Sequence, residues 1–195
     1  MNEVSDPGAI EAVVIGASAG AVQALLKILP KLPVDYPIAI LVVVHVPPDR
    51  SNALVRLFED KCRLAVKEAE DKERAVAGTV YFAPSDYHLL VEKDGDLALS
   101  RDDPVNHSRP AIDVLFETAA DCFGPRLVGI IMTGANHDGA AGLKAICQAG
   151  GRVVVEDPAS AAASAMPAAA LAVCPDATVR NLDGITDYLL ELAAA

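Results

Sequence analysis

The sequence predicts an α/β fold, a three-layer sandwich whose mostly parallel, doubly wound sheet has helices on both faces and an appended antiparallel β-hairpin. Two observations support this prediction. Short runs rich in Val and Ile alternate with longer segments of helical character, and an Asp-Gly step separates two short strands in the middle of the chain. A sheet covered on both faces needs strands without polar alternation.

The apolar runs meet that requirement, since polar residues do not alternate along them. The predicted parallel strands are 12–16, 38–45, 127–133 and 152–155. The segments between and after them predict helices at 21–29, 51–61, 112–123 and 139–148.

The middle of the chain does not alternate strands with helices and instead predicts three short strands, 79–83, 88–92 and 96–100. The last two flank Lys93-Asp94-Gly95, a turn sequence typical of a β-hairpin, which we expect at the edge of the parallel sheet. Further on, an Ala-rich stretch at 159–172 predicts a helix broken near Pro167.

Composition excludes several classes of protein. A length of 195 residues fits one domain, and a net charge of −11 argues against a nucleic-acid partner. The acidic N-terminus is not a signal peptide, and no apolar run spans a membrane, so the expected location is the cytoplasm. Four scattered cysteines are expected to be free, small and buried rather than disulfide-bonded or zinc-bound: Cys62, Cys122, Cys147 and Cys174.

Catalytic groups of a parallel sheet gather beyond the carboxyl ends of its strands. After the first strand, residues 16–20 match the G-x-S-x-G nucleophile elbow, with Ser18 as nucleophile and the Ala19 N–H facing any nearby negative charge. The same residues also fit a plain small-residue turn. A third interpretation, the G-x-G-x-x-G dinucleotide fingerprint, fits poorly because Ser18 and Ala21 replace two of its glycines.

Two more strand ends carry residues of the catalytic-triad type. His45 ends the second strand, which we expect beside the first, so that it can reach Ser18. Asp138 stands in a glycine-bounded loop after a later strand, where it is either a turn or helix-capping residue or the acid that orients His45. The sequence therefore favours a Ser18-His45-Asp138 triad over three separate coincidences.

These residues lie within a longer resemblance. The chain resembles the catalytic domain of the chemotaxis-type protein-glutamate methylesterases, the CheB family, in family order from about residue 13 to residue 192. The matching stretches are VVIGASAG, VVVHVPP, VKEAED, YFAPSDYHLLV, NHSRPAIDVLF, GIIMTGANHDGAAGLKAICQAGG, VEDPASAAASAMPAAA and ITDYLLELA.

The resemblance implies a serine hydrolase that demethylates glutamate γ-methyl esters on the cytoplasmic helices of methyl-accepting receptors and releases methanol, with glutamine deamidation in some members. It implies no metal or organic cofactor. It assigns Ser18 as nucleophile, His45 as base and Asp138 as orienting acid. The amides of Ala19 and of the loop near Ala135 are candidates for the oxyanion hole.

The substrate rim is assigned Arg109 and Met166 by the same resemblance. Arg109 either steers an acidic receptor surface or makes a salt bridge at a helix start. We interpret Met166 mainly as packing near the site.

The chain also departs from the family pattern. Relatives commonly carry Thr at the position of Ala19, Met at that of Ala135, and Gly-Asn in place of Asn136-His137. These changes should reshape the pocket rather than remove the triad, and His137 is expected to be a solvated surface residue.

The expected domain organisation is a flexible segment at 1–10 followed by a single methylesterase catalytic domain at 11–195. The family's usual receiver domain has no counterpart in so short a segment. We therefore expect a stand-alone esterase, a piece of a longer protein, or control by a separate receiver protein. The alternative function is a catalytically weakened member that docks on receptors or signalling partners without turnover.

Overall fold

The computed structural model describes residues 9–45 and 51–194, with the side chains of residues 51 and 52 left out. The expected flexible segment therefore lies largely outside the described residues. The strands are β1 (Ala12–Ala17), β2 (Ala39–Val44), β3 (Ala65–Glu68), β4 (Thr79–Phe82), β5 (His88–Val91), β6 (Leu97–Ser100), β7 (Leu127–Ile131), β8 (Arg152–Glu156) and β9 (Thr178–Arg180). The α-helices are α1 (Ala21–Ile28), α2 (Ser51–Glu59), α3 (Ile112–Phe123), α4 (Ala140–Gln148), α5 (Ala165–Val173) and α6 (Leu182–Ala194).

Seven strands form one parallel sheet in the order β3-β4-β2-β1-β7-β8-β9. The chain moves outward from β1 to β2 in one direction and later from β7 to β9 in the other. The strand order thus reverses between β1 and β7, which makes the carboxyl ends of these two strands the crevice where open α/β sheets bind ligands.

Alternate side chains of β1 enter two separate apolar cores. Ile15 belongs to the core on the face of α1, α2 and α6, together with Leu25 and Leu189. Val14 belongs to the core on the face of α3, α4 and α5, together with Phe116. Because both faces are covered, the strands carry the continuous apolar runs seen in the sequence. The predicted three-layer α/β fold is confirmed.

The predicted hairpin forms from β5 and β6, but not at the edge of the parallel sheet. It is a separate two-stranded antiparallel sheet that packs against α3. Leu89 and Leu97 of the hairpin are fully buried in the same core as Phe116 of α3. The hairpin therefore buries its apolar face on a helix instead of extending the ladder of hydrogen bonds.

The Ala-rich stretch is helical only from Ala165 onward, so the prediction of a helix starting at residue 159 was wrong in its start. Pro167 does not break this helix because it lies in the first turn. There its missing N–H has no partner within the helix to lose. The segment predictions did not include the strands β3 and β9 or the helix α6.

The cysteines are free, as expected, but they are not uniformly buried: Cys174 is buried, whereas Cys147 is exposed near the end of α4. Cys147 lies on the solvent-facing side of α4. Amino-acid composition does not indicate which side of a helix a residue occupies. None of the helices within the described ranges is both long and apolar enough to cross a membrane.

Candidate active site

The register of the central strands places Ser18 beside His45. β1 and β2 are parallel, and Ala17 is paired with Val44, so the next residues along the two strands are Ser18 and His45. The N–H of His45 donates to the carbonyl oxygen of Ala17 at 3.3 Å, which continues the ladder one step beyond the strands. Neighbouring strands lie about 4.8 Å apart. The two residues therefore share one edge of the sheet.

The turn after β1 has the form of a nucleophile elbow. Ser18 is held by its N–H, which donates to the carbonyl oxygen of Thr133 at 2.9 Å, while its own carbonyl oxygen accepts from the N–H of Ala21 at 2.9 Å. Gly20 caps α1 with a φ of 84°, a left-handed conformation that favours glycine. The chain thus passes from strand to helix over three residues, and the partly exposed Ser18 lies at the bend.

His45 is bonded to Asp138 from the loop that follows β7. The Nε2 atom of His45 lies 2.8 Å from Oδ2 of Asp138, although the two residues are 93 positions apart in the sequence. The His45 side chain is 13% exposed and that of Asp138 is fully buried. Of the two contacts that a Ser18-His45-Asp138 triad requires, the His45–Asp138 bond is present, and Ser18 and His45 lie at the same edge of the sheet. Within the described residues, Ser18 Oγ makes no hydrogen bond to His45.

The Asp138 carboxylate also caps the N-terminus of α3. Its Oδ2 accepts from the N–H of Ile112 at 2.7 Å, and its Oδ1 accepts from the N–H of Asp113 at 3.2 Å and from Nδ2 of Asn106 at 2.8 Å. Burial alone raises the pKa of Asp138, but the bonds from His45, Ile112, Asn106 and Asp113 outweigh burial and hold its pKa below the ordinary value. Asp138 is therefore an ionised acceptor at neutral pH.

A second buried carboxylate, that of Asp113, is linked to Asp138 through Asn106. Asp113 accepts from the N–H of Gly142 at 2.7 Å and from Nδ2 of Asn106 at 2.7 Å, so that Asn106 bridges Asp113 and Asp138. Burial, aided by the nearby Asp138 charge, raises the pKa of Asp113. Asn106 takes a left-handed conformation with a φ of 51° to reach both carboxylates.

Thr133 joins three loops at the same edge of the sheet. Its carbonyl oxygen accepts from the N–H of Ser18. Its hydroxyl donates to the carbonyl oxygen of Ala19 at 2.7 Å and accepts from the N–H of Ala163 at 2.8 Å. Its N–H donates to the carboxylate of Glu156 at 2.7 Å, and burial raises the pKa of that carboxyl group. The elbow is thus tied to the loops that follow β7 and β8.

Replacing Thr133 with valine should lower the free energy of unfolding by about 1–3 kcal/mol, because the Ala19 carbonyl and the Ala163 N–H lose their buried partner. Thr133→Ser keeps the hydroxyl and should lose less. Urea denaturation of both variants measures the difference. A Thr133→Val protein at least as stable as Thr133→Ser would contradict this role of the hydroxyl.

The two expected oxyanion amides lie on exposed turns. Ala19 and Ala135 are both exposed, one in the elbow and the other in the loop between β7 and α4. Because the Ser18 carbonyl points toward Ala21, the N–H of the same planar trans peptide, that of Ala19, points the opposite way. The Ala19 N–H is therefore directed away from its own helix and toward the surface of the turn.

Arg109 lines a cavity of 280 Å³ together with His45, His107 and Pro110. Its guanidinium donates to Asp86 at 2.5 and 3.0 Å and, through Nη1, to the carbonyl oxygens of residues 101 and 102. This ion pair lowers the pKa of Asp86. Arg109 is thus largely engaged within the protein, as in the salt-bridge alternative, and its guanidinium holds the loop that forms the cavity wall.

Met166 is not on an exposed rim. Its side chain is 1% exposed and belongs to the core beneath the loop after β7, and its N–H donates to the carbonyl oxygen of Gly134 at 2.9 Å. Met166 and Pro167 are the buried residues in the first turn of α5, and Met166 therefore supports the loop from below. The buried side chain agrees with packing near the site and gives no support to a place on an exposed substrate rim.

Sequence reasoning missed three polar residues that hold the site, namely Asn106, Asp113 and Thr133, and it did not indicate that Asn136 contacts His45. Asn106, Asp113 and Thr133 each bind a group in another loop or helix, so no local periodicity marks them. The available signal was the presence of Asn106 and Asp113 in a stretch shared with the CheB family, NHSRPAIDVLF.

Comparisons with known proteins show the family of this chain. A family model described as CheB methylesterase matches residues 13–189. A Leptospira interrogans protein is 44% identical over 182 residues, which cover 93% of this chain and 94% of that protein. It carries the name protein-glutamate methylesterase/protein-glutamine glutaminase as a provisional assignment.

Two longer proteins bear the same name. The Symbiobacterium thermophilum protein is 40% identical over 80% of this chain and 43% of its own length, and the Bordetella parapertussis protein is 37% identical over 91% and 52%. This chain thus corresponds to about half of each. The crystal structure of the Thermotoga maritima CheB methylesterase catalytic domain superposes with a TM-score of 0.89 at 34% identity, covering 94% of this chain and 99% of that one.

Proposed function

Because this chain belongs to the CheB methylesterase family, we propose that it is a serine hydrolase that demethylates glutamate γ-methyl esters on methyl-accepting receptors and releases methanol. The observation that carries the proposal is that the residues following β1, β2 and β7 lie at the same edge of the sheet. Ser18 and His45 follow paired residues of β1 and β2, and His45 is bonded to Asp138 beside β7. Three loops from distant parts of the chain thus supply a nucleophile, a base and an orienting acid.

The base is the Nδ1 atom of His45. The Asp138 carboxylate accepts a hydrogen bond from Nε2, so the neutral ring carries its proton on Nε2 and leaves the Nδ1 lone pair free to accept a proton. Ser18 Oγ attacks the ester carbonyl carbon while its proton passes to Nδ1. The fixed, ionised Asp138 then stabilises the imidazolium that forms.

The negative charge that develops on the ester oxygen needs donors that do not have to reorganise. The Ala19 N–H is one candidate, since both carbonyl groups that flank its residue are fixed by hydrogen bonds to Ala21 and Thr133. The exposed loop at Ala135 supplies the second candidate amide. With alanine at both positions, the wall of the site lacks longer side chains there.

Formation and hydrolysis of the acyl-enzyme use the same base. The proton on His45 Nδ1 goes to the departing methoxide, and methanol leaves. Water attacks the glutamyl ester of Ser18 with the same nitrogen as base, and the receptor carboxylate is released together with the Ser18 hydroxyl.

Membership of the family supports the choice of substrate. The proposed substrates are the cytoplasmic helices of methyl-accepting receptors, and the names of the relatives add protein-glutamine deamidation, which needs the same acyl-serine intermediate with ammonia as leaving group. Regulation by a separate receiver protein stays a prediction. The hypothesis of a catalytically weakened docking module gains no support from the comparisons.

The test is methanol release from a methylated receptor fragment by the purified protein. Wild type should release methanol stoichiometrically with the methyl esters lost, and Ser18→Ala should abolish release because the acyl-enzyme cannot form. Circular dichroism of both proteins controls for folding. Equal methanol release by wild type and Ser18→Ala would overturn the proposal, as would no release by a folded wild type on receptor fragments that carry the methyl ester.

A further inference from the structure

Asn136 lies in the loop between β7 and α4, and its side chain reaches both His45 and Asp138. Its Oδ1 accepts from the N–H of Asp138 at 3.1 Å, and its Nδ2 lies 3.4 Å from Nδ1 of His45. The bond from the backbone determines which way the amide faces, since only its oxygen can accept from an N–H. The NH2 group must therefore face His45.

The protonation state of His45 makes this contact a hydrogen bond. The ring proton lies on Nε2, which donates to Asp138, so Nδ1 is an acceptor and the Asn136 amide donates to it. This is the nitrogen that the proposed mechanism requires Ser18 to use. Within the described residues, Ser18 Oγ has no hydrogen bond to it, whereas Asn136 does.

We propose that Asn136 is a positioning residue that holds His45 in its neutral tautomer and competes with Ser18 for Nδ1. The proposal rests on the proposed function, because it requires Ser18 and His45 to act together. Once Nδ1 has taken the Ser18 proton, it becomes a donor that faces the donor group of Asn136. The amide must therefore turn away in every turnover, and the resting enzyme is restrained relative to one without it.

The variant Asn136→Ser separates the two bonds of this side chain. A serine hydroxyl at this position can still accept from the N–H two residues on, as in an ST turn, but it is too short to reach His45. The probe is a fluorophosphonate, which reacts with an activated serine and needs no methyl ester. Removing one hydrogen bond should speed labelling of Ser18 by about two- to tenfold. His137→Ser is the matched control, since His137 is the exposed neighbour in the same loop.

The outcomes are separable. Faster labelling of Asn136→Ser, with His137→Ser at the wild-type rate and Ser18→Ala unlabelled, supports the proposal. Unchanged or slower labelling of a folded Asn136→Ser protein overturns it. Rapid labelling of Ser18 without methanol release would reject the proposed substrate and leave this inference standing.

A measurement on the wild type alone keeps the proposal falsifiable if the variant does not fold or if neither protein reacts. In 15N spectra, the lone-pair nitrogen of His45 should resonate upfield of a free neutral imidazole, because it accepts a hydrogen bond. Asn136→Ser, where it folds, should move this signal downfield. A wild-type signal at the position of a free lone-pair nitrogen would overturn the proposal.

Discussion

Asp138→Asn should lower the rate of methanol release by about 10⁴-fold, the order of magnitude expected when the residue that orients a catalytic histidine loses its charge. The contacts of Asp138 explain why no orientation of the asparagine rescues the site. Its Oδ2 accepts from His45 and Ile112, and its Oδ1 accepts from Asn106 and Asp113. Whichever oxygen becomes NH2, that group faces two donors.

If the NH2 group faces His45, it forces Nε2 to accept, which moves the ring proton to Nδ1 and removes the base. If it faces the other way, the Asn106 amide and the Asp113 N–H lose their acceptor. Asp113→Asn is the matched control, because Asp113 lies in the same network and does not contact His45. We expect it to reduce methanol release far less. Equal losses in the two variants would mean that the network acts through stability rather than through the tautomer of His45.

The variant Asp138→Asn also tests how much the Asp138 carboxylate contributes to the free energy of unfolding. Its pKa is lowered in the folded protein, so its carboxylate stabilises the fold above the unfolded pKa, and this contribution is lost as the pH falls through the folded value. The difference in unfolding free energy between wild type and Asp138→Asn should thus be constant above about pH 5 and shrink in more acidic solution. Urea denaturation across pH measures it. A difference that grows on acidification would contradict the assignment.

Gly142→Ala should destabilise the protein by about 1–3 kcal/mol, although alanine is the better helix former. Gly142 lies where α4 crosses α3, and an added Cβ would stand 2.5 Å from Cβ of Phe116 and 3.1 Å from the backbone of Asp113. The helices must separate to admit it. Because the N–H of Gly142 donates to Asp113, the separation also disturbs the network behind Asp138.

Gly184→Ala is the control for this prediction. Gly184 lies in α6, and the nearest atoms to an added Cβ belong to the side chains of Arg180 and Asn181, which can shift. We expect Gly184→Ala to be neutral or slightly stabilising, since only helix propensity changes. Thermal unfolding and methanol release of both variants provide the comparison. A Gly142→Ala protein with the wild-type melting temperature would show that α3 and α4 are free to move apart.

Much of the fold was predictable because its signals are local. The apolar runs of β1, β2, β7 and β8 were placed within one or two residues, and α3 was placed at its observed ends. A strand buried on both faces must be apolar throughout, and this is visible in the sequence alone. The position of the hairpin and the start of α5 depended on which surfaces were available for packing, and neither could be obtained from periodicity.

The sequence by itself determined the α/β class and the positions of Ser18, His45 and Asp138 at strand ends. The reason is that β-propensity and the glycines that end a strand are local properties of the sequence. Only the tertiary structure decided which nitrogen of His45 meets Asp138, that Asp138 caps α3, and that Asn136 faces the other nitrogen. These contacts join residues up to 93 positions apart, and their geometry is set by how the layers pack. No local pattern of side chains specifies it.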